Sequence, residues 1–332
     1  MKRLLCMCFL AALVIFSGDA VQAQSSNDIV QTIDEYINAQ MKVNQFSGSV
    51  LIARRGEVII SKGYGMANRE HEIPNTPETR FRILSLTKQF TATAIMMLEE
   101  EGELSVNDLL SRYIPDFPHG DDIRIVHLLT HTSGIPDHTG LSGFRRERRV
   151  YEYNIEETIE TFKNKDLEFS PGEKFKYSNS GYILLGYIIE KVTGTSYGDF
   201  ITNNIFKPLN MLHSGFEHTN SIIKQRAYGY KAEDDEIRKA DYRIMSNAHA
   251  SGALYSTSED LYLWDRALYT EALISRASLE KMFTPFKEQY GYGWGIVRLF
   301  NRKMTGHNGE LEGFRTNISR FPDENVCIII LS

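Results

Sequence analysis

Strand-forming segments stand at the two ends of this chain with a long helical stretch between them, and that separation leaves few ways to build one core. Near the start, Ser49-Val50-Leu51-Ile52-Ala53 and Val58-Ile59-Ile60-Ser61 flank Arg54-Arg55-Gly56-Glu57, a hairpin signal with glycine at the turn. After Tyr290 the pattern predicts strands over Gly293 to Phe300, Lys303 to His307, Phe314 to Phe321 and, behind the turn Pro322-Asp323-Glu324-Asn325, Val326 to Leu331. Between about 103 and 285 most segments read as helical or irregular, including the apolar run Tyr182 to Val192 that stops before Gly194. Ile29, Ile33, Tyr36, Ile37 and Met41 recur at helical spacing and predict an amphipathic helix ahead of the hairpin. Phe90, Ala94, Met97 and Leu98 predict a second helix from Thr87 to Glu101, stopped at Gly102. The expected class is α+β: the hairpin and the C-terminal meander join one antiparallel sheet flanked by helices, with a large helical insertion. The sheet part covers about 24–84 and 286–332, the helical part about 85–285, and the cleft lies where they meet.

The 332 residues carry a formal charge of −6 and a pI near 5.9, which gives nucleic acid no basic face to bind. Residues 1–23 read as an export signal: Met1-Lys2-Arg3, an apolar run from Leu4 to Ser17, then the small-residue site Ala20-Val21-Gln22-Ala23. The run is shorter than the roughly 18 to 20 residues needed to cross a bilayer, so the mature chain, 24–332, is expected to be periplasmic or secreted with no membrane span. Cys6 and Cys8 leave with the signal and sit too early in it for a lipid anchor. Cys327, inside an apolar strand, is expected to pack as a small hydrophobe.

No G-x-S-x-G elbow, Walker loop, dinucleotide glycine pattern or H-E-x-x-H is present. Ser85-Leu86-Thr87-Lys88 instead puts a hydroxyl and an amine at i and i+3 on a helix start, where side chains are neighbours. Such a lysine can take the serine proton if burial or nearby positive charge keeps it neutral, and the helix N-terminus adds partial positive charge beside the oxygen. The same spacing recurs at Ser221/Lys224 and Ser278/Lys281; Y-x-N occurs at Tyr36 and Tyr177, and H-x-G at His138, His213 and His307. Chain order and context choose one set: Ser85 and Lys88, then Tyr177 and Asn179, then His307 in the strand region bordering the cleft.

These residues resemble the serine β-lactamase and penicillin-binding-protein superfamily, specifically its class C-like group with D-alanyl-D-alanine carboxypeptidases, D-aminopeptidases and esterases. The resemblance spans nearly the whole mature chain: Phe81 to Lys88, His127-Leu128-Leu129-Thr130-His131-Thr132-Ser133-Gly134, Pro171-Gly172-Glu173 leading to Tyr177-Ser178-Asn179-Ser180-Gly181-Tyr182, and Gly306-His307-Asn308-Gly309 followed by Gly313-Phe314-Arg315. It implies that Ser85 is acylated, that Lys88 serves as its base, and that Tyr177 passes a proton to the leaving group; whether Lys88 or Tyr177 is the first base stays open. It further implies that Asn179 holds Lys88 and the substrate amide. The N–H groups of Ser85 and Glu310 form the oxyanion hole, with Asn308 and Gly309 in the adjoining strand, and His307 contacts a substrate carboxylate or shapes the pocket.

The implied substrate is a small molecule or peptide with D-amino acids, peptidoglycan-derived peptides among them, with no metal and no cofactor. An esterase or weak β-lactamase is the alternative within the family, and a non-hydrolytic penicillin-binding or sensor protein the alternative outside enzymes. Oligomeric state stays open. Two departures matter. His307 stands where β-lactamases of this class carry lysine, replacing a permanent cation by a group charged only near or below pH ~6.5. The sequence also stops on a strand, Ile330-Leu331-Ser332, where family members continue into a helix that packs on the sheet; the expectation is a chain truncated at its C-terminus, its apolar sheet face partly uncovered, with room for a further domain. Among other features, His127 and His131 have i, i+4 spacing but no third metal ligand. Arg145, Arg146, Arg148 and Arg149 read as a solvated, charge-mixed surface, and Trp294 as a core anchor.

Overall fold

The computed structural model describes residues 26–43, 46–141, 150–233 and 236–332. The signal segment 1–23 and the cluster Arg145, Arg146, Arg148 and Arg149 lie outside them. Helix α1 (Ser26–Lys42) buries Ile29, Ile33 and Ile37, one stripe at i, i+4, i+8. Strands β1 (Gly48–Arg54) and β2 (Glu57–Tyr64) follow, joined through Arg55 and Gly56 with φ of 54° and 85°. Positive φ at both central residues makes the tight turn whose twist matches that of the strands it joins.

The remaining sheet strands come from the far end of the chain: β3 (Gly295–Leu299), β4 (Arg302–Leu311), β5 (Phe314–Phe321) and β6 (Val326–Leu331). They complete a six-stranded antiparallel sheet in the order β3-β4-β5-β6-β1-β2. The two ends of the chain thus meet in one sheet, as expected, with β6 between β5 and β1 (Thr316 and Ser49 both opposite Leu331). The period-2 alternation of β1 sends Val50 and Ile52 to the α1 side and Leu51 and Ala53 to the larger core. α1 therefore covers part of the face that the sequence left open, against Val50, Ile52, Ile60, Val326 and Ile328.

On the other face lie α2 (Thr87–Glu100), α3 (Asn179–Thr193) and α4 (Ser258–Ala267). α2 is buried on nearly every side, and α3 stops at Gly194, whose left-handed φ of 67° few other residues adopt cheaply. Arg320 on β5 is 2% exposed and donates from Nε to Asp265 Oδ1 on α4 (2.5 Å), while Arg266 Nε reaches Oδ2 of the same carboxylate (2.9 Å). The Arg320 guanidinium lies against the rings of Tyr269, Phe283 and Trp294. Trp294 is fully buried, as expected, and Cys327 is a buried free thiol in the core.

Two expectations change. The strand predicted to end at His307 runs on to Leu311, so Asn308, Gly309 and Glu310 are strand residues. The asparagine and glycine look like turn formers in sequence, but Gly309 is there for close approach: a Cβ would fall 2.3 Å from Thr316 Oγ1 and 2.7 Å from the Ile83 carbonyl oxygen. The inserted block also contains short strands. Leu254–Ser256 pairs with Phe81–Arg82 and Gly215–Phe216, and Tyr230–Glu233 pairs with Glu236–Lys239. Segments this short carry too few residues for a periodic signal.

Candidate active site

Ser85 sits in a single 3-10 turn, Leu84–Leu86, that runs directly into α2. Leu84 has φ 53°, a left-handed conformation costly for a branched side chain, and its surroundings fix it there. The Ile83 N–H donates to the Leu254 carbonyl (3.0 Å), and the Ile83 carbonyl accepts from Thr316 Oγ1 on β5 (3.0 Å). Half-buried Ser85 is therefore presented at the junction of sheet and helical block, where a cleft was expected.

Lys88, one turn on, is fully buried. Its Nζ lies 2.8 Å from Asn179 Oδ1, 2.8 Å from the Ser251 carbonyl oxygen and 3.3 Å from Ser85 Oγ. Burial lowers its pKa to about 7, against the opposing pull of Asp137. Burial alone thus supplies what the sequence argument left to burial or positive neighbours. A neutral amine has two protons and one lone pair. The two short contacts go to carbonyl oxygens that can only accept, so the protons point there and the lone pair faces Ser85.

Tyr177 arrives on the segment before α3, and Asn179 opens that helix. The Tyr177 ring lies 4.9 Å from Lys88 Nζ. Burial raises its phenol pKa well above the ordinary value, and a hydrogen bond with Ser85 only partly opposes this, so Tyr177 is a protonated donor beside the nucleophile. Behind it stands His131, 2% exposed, its ring 4.2 Å from that of Tyr177 and 4.8 Å from that of Tyr290. Its Nδ1 accepts the Ser178 N–H (3.2 Å), and burial with the neighbouring Lys88 keeps it neutral. His127 accepts the Arg124 N–H at its own helix start (3.1 Å).

Sequence reasoning missed Asp137. Its two carboxylate oxygens each lie 3.3 Å from Asn179 Nδ2, and Oδ1 also accepts the Asn179 backbone N–H (3.2 Å). It directly follows Ile135-Pro136, just past the His127–Gly134 segment, and a carboxylate closing that run was the available signal.

The sheet edge supplies the opposite wall. The β3 ladder ends with Gly295 opposite Gly306, leaving β4 uncovered from His307 onward on that side. On the other side Glu310 stands opposite Arg315, but both backbone groups of Arg315 are bonded to Ser332 (2.6 and 2.8 Å). In an antiparallel ladder such a pair is not hydrogen-bonded, so the Glu310 N–H faces the free edge, toward the Ser85 turn that packs on Gly309. The Glu310 side chain pairs with Arg315, and Asn308 Oδ1 accepts from Asn317 Nδ2 (2.6 Å).

His307 has both ring nitrogens engaged. Nδ1 lies 2.7 Å from the Asn308 carbonyl oxygen, an acceptor, so it carries the proton, and Nε2 accepts the Tyr290 hydroxyl (3.0 Å). Burial and the neighbouring Lys88 lower its pKa to about 3, which keeps it neutral around neutral pH. The expectation of a histidine that charges near pH 6.5 gives way to a ring bonded at both nitrogens and kept neutral.

The cleft, about 610 Å³, is lined by Ser85, Asn179, Thr139, Arg243, Asn247 and Glu310, among others. The competing motif matches lie elsewhere: Ser278 and Lys281 bond to Glu100 and Glu99, Ser221 and Lys224 are exposed, Asn38 lies on the exposed side of α1, and His138 and His213 face Ser180 and Asp260.

The chain is similar to known proteins over nearly its whole length. PbpX of Bacillus subtilis strain 168 is 35% identical over 312 residues, covering 93% of this chain and 76% of that protein. A penicillin-binding protein from Bacillus halodurans superposes with a TM-score of 0.81 at 28% identity, over 90% of this chain and 94% of that one. The D-amino acid amidase of Ochrobactrum anthropi SV3, complexed with D-phenylalanine, does so at 0.78 and 25% identity, over 92% and 91%. The Beta-lactamase family model matches residues 33–332, which includes the Ser85 turn, the Tyr177 segment and the β4 edge alike, and the chain belongs to that family of serine hydrolases and penicillin-binding proteins.

Proposed function

We propose that this chain is an exported serine hydrolase that works through an acyl-enzyme on Ser85, acting on D-amino-acid peptides of cell-wall type or related amides and esters. The observation that carries the reading is the buried amine of Lys88, its pKa lowered to about 7, set 2.8 Å from two carbonyl oxygens and 3.3 Å from Ser85 Oγ, so that its neutral form has a lone pair to turn toward Ser85. Lys88 takes the Ser85 proton as Oγ bonds to the substrate carbonyl carbon and the carbonyl π electrons move onto oxygen. That oxyanion rests against the N–H groups of Ser85 and Glu310. Collapse expels the leaving group, which takes its proton through Tyr177 while Lys88 gives up the one it gained. Water then attacks the ester by the same groups in reverse, and Ser85 is regenerated. Periplasmic or secreted location rests on the reading of residues 1–23 as a signal.

Within this reading His307 favours a leaving group without a carboxylate. A D-alanyl-D-alanine carboxypeptidase must hold a terminal carboxylate, and His307 has no positive charge to offer it. Amidase, aminopeptidase or esterase action is therefore favoured over carboxypeptidase or efficient β-lactamase action. The test is to incubate the protein with a fluorophosphonate, a fluorescent penicillin and a panel of D-amino-acid amides and esters, and to map adducts by mass. Fluorophosphonate on Ser85 with amide or ester turnover is expected; a stable penicillin adduct with no turnover would move the assignment to a penicillin-binding sensor, and no adduct at Ser85 would end the reading.

A further inference from the structure

We infer that Asp137 is a positioning residue for this centre: it fixes the Asn179 amide with its oxygen toward Lys88 and sets a negative charge one amide beyond the base. The inference rests on the reading of Ser85 and Lys88 as nucleophile and base. An asparagine amide can be turned either way, and only its carbonyl oxygen can accept from Lys88 Nζ at 2.8 Å. Asp137 decides the matter, because both carboxylate oxygens lie 3.3 Å from Nδ2. The turned amide would set oxygen against carboxylate at one end and N–H against amine protons at the other. The same carboxylate accepts the Asn179 backbone N–H, so one group fixes both the start of α3 and the side chain it projects.

Asp137 is in turn held by Thr139, through the hydroxyl (2.6 Å) and the backbone N–H (3.3 Å). Its segment is stitched to α3 as well: Ser180 Oγ donates to the Pro136 carbonyl (2.7 Å) and accepts the His138 N–H (2.9 Å). The charge matters when the Lys88 amine, itself closed off from solvent, becomes an ammonium. The groups around it are the rings of Tyr177 and Tyr182, at 4.9 and 5.3 Å, with His131 and His307, both neutral. Against the burial that disfavours the ammonium, Asp137 is the group that favours it. The chain Asp137–Asn179–Lys88–Ser85 thus ends in a counter-charge for the proton that the base acquires.

The experiment measures the second-order rate of Ser85 labelling by a fluorophosphonate from pH 5 to 9, with melting curves, in wild type, Asp137→Asn and Asp137→Glu. Asp137→Asn should lower the plateau by about 10²-fold, the scale of a misplaced catalytic group, and move the acidic limb down by about one pH unit as Lys88 loses its counter-charge. Asp137→Glu should keep the limb near its wild-type position. A cap that merely stabilises the turn predicts a lower melting temperature with the limb unmoved, and that result, or an Asp137→Asn rate within about threefold of wild type, overturns the inference. If Asp137→Asn does not fold, Asp137→Ser removes the charge, keeps an acceptor and is read in the same way. No labelling of wild-type Ser85 at any pH overturns the underlying reading first and this inference with it.

Discussion

Lys88 Nζ and Ser85 Oγ stand 3.3 Å apart across one turn of backbone, the amine closed off from solvent and the hydroxyl open to the cleft. The lysine pKa is lowered to about 7, so the protonated, inactive form dominates below that value and the basic form above it. Acylation of Ser85 should rise with pH through about 7 and level off by about 9, with no second limb from His307 or His131, which stay neutral throughout. A pH profile of the labelling rate checks this, and a limb centred above 9 would show that Lys88 is charged in the resting protein.

Gly309→Ala is expected to damage the site from the sheet side. The new methyl would collide with Thr316 Oγ1, the hydroxyl that holds the Ile83 carbonyl beside the nucleophile turn. We expect a stability loss of about 1–3 kcal/mol and a larger proportional loss of activity, because the Ser85 turn must shift. Denaturant melts and turnover on the same sample separate the two; unchanged turnover would mean that the turn does not depend on this contact.

Asp265→Ala should be among the most destabilising single changes. It strips the carboxylate from Arg320, a cation only 2% exposed, and leaving one partner of such a buried pair uncompensated costs about 3–5 kcal/mol. Arg320→Met on the same background should recover most of that loss. Equal stability of the single and double variants in urea would contradict the pairing.

His307→Gln should leave the position of the pH profile unchanged between 5 and 8, since the ring it replaces does not titrate there. His307→Lys introduces the cation that the pocket lacks and should speed labelling by a fluorescent penicillin relative to wild type, at the cost of the bond to Tyr290. A pH limb that moves in the glutamine variant would show that His307 charges after all.

Much of this was readable in advance because the signals were long or redundant. The Arg55-Gly56 turn, α1 from its isoleucine stripe, β5 and β6 to the residue, and Gly194 as the stop of α3 all follow from periodicity and turn chemistry. The order of Ser85, Tyr177 and His307 along the chain separated one set from its decoys, and the structure brings that set together. What failed is non-local. β4 was cut short because the glycines that admit a neighbouring backbone are indistinguishable, in one sequence, from those that make turns. The neutrality of His307 depends on burial and on Lys88, and the part played by Asp137 depends on a contact with Asn179 that no spacing rule encodes.

The placement of β6 also dictates when this molecule can become native. β6 is the middle partner of the sheet, bonded to β5 on one side and to β1 on the other, and the register sets Ser49 against Leu331 across almost the whole described chain. The β1–β2 hairpin can form early from local contacts, but it has no seat until β6 is in hand. Closing so long a loop carries an entropic cost before any contact rewards it, so folding should be slow and should finish at the sheet. Deleting β6, Val326–Leu331, should then abolish the native state altogether, however intact the helical block remains.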